Sequence, residues 1–72
     1  QPVKLKLFLD ELCQGYEEIM PGELHTLFKM KEVWAYLGEF FPGEEKMMKK
    51  IKKSNSTAEY KAVLRELWGR VL

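Results

Sequence analysis

Pro-Gly occurs twice, at Pro21-Gly22 and Pro42-Gly43, and the two pairs divide the 72 residues into three stretches. Proline lacks the amide that an advancing helix needs, and glycine takes the backbone conformations that end one. Within each stretch the apolar residues recur at spacings of three and four, and nowhere do they alternate with period two over a strand's length. The last stretch is divided again by Ser56-Thr57-Ala58-Glu59, a capping box in which the hydroxyl and the carboxylate can each satisfy the other's free backbone N–H. The expected fold is all-α, a compact four-helix bundle forming a single domain over residues 1–72.

The first helix should bury a stripe that runs from Leu5 through Phe8, Leu9, Leu12, Tyr16, Ile19 and Met20, with Leu7 on its polar side and Cys13 at the stripe's edge. Pro21-Gly22 should stop it. From about residue 23 to 41, Leu27, Met30, Trp34, Leu37 and Phe41 form one seam, while Leu24, Phe28 and Ala35 form a second apolar group on another side. A helix with two apolar sides is expected to be central, packed between neighbours. The third helix should span about residues 44 to 53 and stop at Asn55. The fourth should bury Tyr60, Val63, Leu64, Leu67 and Val71, with Trp68 at the border.

A chain of this size folds as one small domain and rarely holds a deep catalytic cleft as well as a core, so composition favours a binding or accessory module. Its single cysteine excludes an intramolecular disulfide and a thiolate metal site built from this chain. A reducing, cytoplasmic setting fits, and no apolar run approaches the roughly 18 residues that cross a bilayer. The amphipathic pattern begins almost at Gln1, which suggests a piece of a longer polypeptide. His25 is the only histidine and lies on the polar side of its helix, where solvation is expected. Without a second histidine or a nucleophile–base pair, no metal or catalytic constellation is expected, and Gly22 and Gly43 sit in no phosphate-cradling pattern.

Charge is unevenly distributed. Residues 1–28 carry two lysines against five acids, and residues 29–53 carry seven lysines against four acids. The run KMMKKIKK, residues 46 to 53, concentrates five of those lysines. On a helix Met47, Met48 and Ile51 share one arc of roughly 100°, and Lys46, Lys49, Lys50 and Lys53 share the opposite one. Only Glu45, four before Lys49, is placed within the helix to pair with them. Such a row is either a solvated face or a phosphate-binding one, reading backbone charge rather than base identity. Membrane binding is disfavoured because the apolar arc is needed for the core.

The segment LFKMKEVWAYLGEFFPGEEKMMKKIKK, residues 27 to 53, resembles the C-terminal helical domain of tRNA-dihydrouridine synthases. In that family an apolar residue, Arg-Met-Lys/Arg and then Trp or Tyr open the stretch, matched here by Phe28, Lys29, Met30, Lys31 and Trp34. A loop with Pro or Gly and a basic helix follow, matched by Phe41-Pro42-Gly43 and the lysine run. LDELCQGYEEIMPGE and STAEYKAVLREL resemble the family's first and last domain helices. The resemblance implies a domain that follows a flavin-binding β/α barrel of the same polypeptide and helps hold tRNA. The barrel, with FMN and a reduced nicotinamide cofactor, NADPH, would reduce uridine to dihydrouridine. The fragment alone is expected to bind neither cofactor and to catalyse nothing, since Cys13 does not match the barrel's proton-donating cysteine.

Family-type basic positions fall on Lys29 and Lys31, with Lys46, Lys49, Lys50 and Lys53 as added positive surface. Lys29 and Lys31 diverge by roughly 160° on a helix, so one phosphate row cannot touch both, and the more exposed Lys29 is the better candidate. Lysine at that place keeps the arginine's charge but loses its bidentate phosphate geometry. Trp34, on the seam, is expected in the core. Two other functions compete. One is a helical protein-interaction module with a solvated lysine face. The other is a helix-turn-helix DNA reader, weakened by the lack of Arg, Asn or Gln on a recognition helix.

Overall fold

Local chemistry sets where most of the helices start and stop. A computed structural model, which describes residues 2–19 and 22–72, contains α1 (Pro2–Ile19), α2 (Glu23–Leu37), a 3₁₀ turn (Gly38–Phe40), α3 (Glu45–Lys53) and α4 (Thr57–Val71). The all-α four-helix bundle is the observed fold. Pro2 opens α1, where first-turn amides have no helical acceptor and a missing one costs little. Met20, expected on the first apolar stripe, and Pro21, expected to stop that helix, lie outside the described residues. Gly43 has φ 90°, and the Glu44 amide donates to the Phe41 carbonyl at 3.1 Å. Pro42 and Gly43 are therefore the central pair of a β-turn of the type that favours proline followed by a positive-φ glycine.

Three boundaries differ from the sequence expectation. The second helix leaves α geometry after Leu37 and tightens to 3₁₀, which swings Phe41 back onto Trp34 at 5.4 Å between ring centroids and onto Trp68 at 6.1 Å. At Gly38 the chain also passes close to α3, where a Cβ would stand 3.3 Å from the Met48 sulfur. The third helix is stopped not by Asn55 but by Ser54, which turns extended (φ −63°, ψ 140°) and donates its buried hydroxyl to the Ile51 carbonyl at 2.7 Å. The capping box forms in half. The Ser56 hydroxyl accepts from the Glu59 amide at 3.1 Å, but the Glu59 carboxylate accepts from Asn55, at 2.8 Å, one residue before the expected amide.

α2 packs against each of the other three helices, as its seam implies. Leu27, Met30 and Trp34 meet Leu9 and Cys13 of α1, Met47 and Ile51 of α3, and Tyr60, Leu64, Leu67 and Trp68 of α4 in one core. Trp68 belongs inside that core rather than at its border. The Trp34 indole donates to the Tyr60 hydroxyl at 2.9 Å, a buried bond that fixes both rings. The Trp68 indole N–H is buried with no acceptor among the described residues.

The second apolar side of α2 is not covered. Leu24 and Phe28 are 53% and 57% exposed, and Ala35 is exposed beside them. Phe8 and Ile19 of α1, expected inside, are 56% and 79% exposed. α1 rests chiefly on α2, so only a narrow stripe of it is covered, and its flank stays wet.

Candidate nucleic-acid interface

α3 is built to hold its lysines outward. Its nine residues bury Met47 and Ile51, one turn apart, between α2 and α4, and Met48 is half-buried. Lys46, Lys49, Lys50, Lys52 and Lys53 are all exposed. At the N-terminus the Glu45 carboxylate accepts from the Gly43 amide at 3.0 Å, a bond that holds this carboxyl below its ordinary range. Lys50, Lys52 and Lys53 fill the last turn, where the helix dipole favours cations.

One lysine of the row is neutralised from outside the helix. Lys50 reaches Glu66 of α4 at 3.3 Å, a partner that spacing along α3 does not reveal. Lys46, Lys49, Lys52 and Lys53 have no ion pair among the described residues. Neighbouring Arg70 is held by Glu44 at 2.7 Å, a carboxylate largely enclosed by the fold, which raises the guanidinium's affinity for its proton.

The two lysines of α2 separate. Lys29 lies 3.8 Å from Glu32 on its own helix. Lys31 lies at a groove between α2 and α3 of about 780 Å³, whose apolar lining includes Phe28, Ala35, Gly38 and Met48. Lys49 and Lys52 line the same groove. The structure thus brings Lys31, rather than Lys29, together with the lysine helix. Lys52 is absent from the row expected to carry phosphate. Its signal was present in the spacing, three after Lys49 and four after Met48, which puts it beside an apolar residue that neighbours α2.

No family model, curated protein or solved structure matches this chain. The assignment of its surfaces therefore rests on the residues themselves.

A second opening, of about 410 Å³, lies between α1 and α4 with Leu9, Cys13, Tyr60 and Trp68 among its walls and is spanned by Lys61 and Glu17 at 3.1 Å. Burial and the neighbouring Glu17 carboxylate push the Cys13 thiol up, away from the thiolate a nucleophile requires. His25 is exposed. Among the described residues no cluster of His, Cys, Asp or Glu side chains is arranged to hold a metal ion, and no helix is long and apolar enough to cross a membrane.

Proposed function

We propose that this domain binds tRNA through the lysine face of α3, as the accessory domain of a tRNA-dihydrouridine synthase. The observation that carries this reading is the set Lys46, Lys49 and Lys53: exposed, closely spaced, and without an acidic partner among the described residues. Like charges on adjacent turns repel by a few tenths of a kcal/mol per pair, and a polyanion relieves that cost while releasing its own condensed counterions. Locking Met47 and Ile51 into the core presents the ammonium groups from a rigid helix. The resemblance of residues 27–53 supplies the family.

In this reading FMN and NADPH belong to a catalytic β/α barrel of the same polypeptide, in the cytoplasm, and the reduction is the barrel's chemistry. The sequence carries no glycine-rich phosphate-binding pattern. The Gly43 amide is already taken by Glu45, and neither Gly22 nor Gly43 belongs to a glycine-rich loop.

The test is a titration of unmodified tRNA at two salt concentrations, comparing the wild type with a variant in which Lys46, Lys49, Lys50 and Lys53 are glutamine. Wild-type affinity should fall steeply with salt, and the variant, shown by circular dichroism to stay helical, should lose most of it. Equal binding by both proteins, or no wild-type binding at low salt, sinks the reading. A second reading, a protein-interaction module, is favoured by exposed Leu24 and Phe28. It requires a partner whose binding survives high salt.

A further inference from the structure

Lys49 belongs both to the lysine face and to the α2–α3 groove, and this joins two features that the sequence keeps apart. The groove has an apolar surface, and an aromatic ring, Phe28, stands 57% exposed at it. Lys31, Lys49 and Lys52 line it without ion-pair partners among the described residues. Of the two carboxylates that also line it, Glu32 is drawn toward Lys29 at 3.8 Å, leaving Glu39 to face the groove's cations.

We propose that this groove takes an unstacked base from a single-stranded segment of tRNA, packed on Phe28 and Met48, with the flanking phosphates on Lys31, Lys49 and Lys52. The inference rests on the tRNA reading above and adds a site to it. Four features of the groove match that ligand. An apolar, aromatic-bearing surface binds the face of a base, which a duplex hides within its own stack. The ring of cations binds the backbone on either side of that base. The volume, about 780 Å³, lies in the range of small-molecule sites and leaves room for a nucleotide. Glu39 supplies carboxylate oxygens that accept from the N–H groups of a base edge. The lysine face of α3 then follows the backbone while the groove holds one point of it in place.

The probes are unmodified tRNA and a short single-stranded RNA carrying one 2-aminopurine, with the same strand annealed to its complement as control. Wild type, Phe28→Ala and Lys52→Gln are compared; both positions are exposed, so the fold is retained. The single strand should bind at least about tenfold tighter than the duplex, and 2-aminopurine fluorescence should rise as the base leaves its neighbours. Phe28→Ala should weaken binding about tenfold without changing the salt slope, because it removes stacking and no charge. Lys52→Gln should lower that slope by about one.

Phe28→Ala binding like the wild type, or duplex binding as tightly as single strand, overturns the base site. If the four-lysine variant still loses tRNA in that case, the tRNA reading survives alone. Absence of any wild-type tRNA binding removes both. Self-association that depends on Phe28, with RNA binding unchanged by Phe28→Ala, overturns the proposal in favour of a groove that faces protein.

Discussion

α1 is 18 residues long and α3 is 9, yet each buries two side chains, Leu9 and Cys13 on the first and Met47 and Ile51 on the second. α1 has much the richer apolar pattern, but it rests on α2 and leaves Phe8 and Ile19 in water. α3 has three apolar residues in all and packs on both α2 and α4, so nearly all of its small apolar arc is used. Amphipathicity names the side on which a helix can be buried; the number of neighbours decides how much of that side is. The contrast also bears on function, because the short, doubly held helix is the one that carries the lysine row.

The largest expected effect is at Ile51. Replacing this residue, 1% exposed, with alanine should cost about 2–5 kcal/mol in urea denaturation, since α2 and α4 hold the cavity open. Leu9 is equally enclosed, at 1% exposure, but Leu9→Ala should cost about 1 kcal/mol less, because α1 is held mainly from one side and can settle into the gap. Equal costs would break the comparison. Native-state hydrogen exchange sharpens it: α1 amides should exchange through an opening cheaper than global unfolding, and α3 amides only with the whole domain.

A smaller effect concerns the ties between helices. The Glu23 carboxylate at the start of α2 accepts from the Thr57 amide at 2.7 Å and from its hydroxyl at 2.9 Å, joining α2 to the start of α4. These bonds hold the Glu23 carboxyl below its ordinary range. Its folded value is therefore below the unfolded one of about 4.3, and the stability it contributes is present above that pH and lost as pH falls through the lowered value. Glu23→Gln should flatten the stability profile on the acid side, measured from urea midpoints at successive pH values. α1 is joined to α4 by an exposed ion pair, Lys61 to Glu17, and Lys61→Ala should cost no more than about 1 kcal/mol. The smallest effect is at Ile19, 79% exposed, where serine should change stability by less than about 0.5 kcal/mol.

Much of the fold was legible because it depends on near neighbours in the chain. The period of Leu27, Met30 and Trp34 placed the central seam, and Pro42-Gly43 and Ser56 marked a turn and a helix start. The division of α3 into Met47 and Ile51 against its lysines also followed from angle alone. Less of the candidate site was legible. The lysine row could be read, but not that Lys31 shares a groove with Lys49, because exposure along one helix says nothing of what lies across from it. Lys52 was passed over although its spacing placed it beside Met48, and Leu24 and Phe28 were expected against a neighbour that does not cover them.

The sequence by itself determined the helices, most of their ends and the outward row of lysines, since turns, caps and periodicity act over three or four residues. Tertiary structure alone decided that Lys50 is neutralised by Glu66, 16 residues away, and that Thr57 is held by Glu23, 34 residues away. It also decided that the chain tightens at Gly38 to bring Phe41 against both tryptophans, and that Lys31, Lys49 and Lys52 line one apolar groove. These arrangements depend on how helices cross and which ends meet. Side chains far apart in sequence become neighbours only when the core that joins the helices has formed.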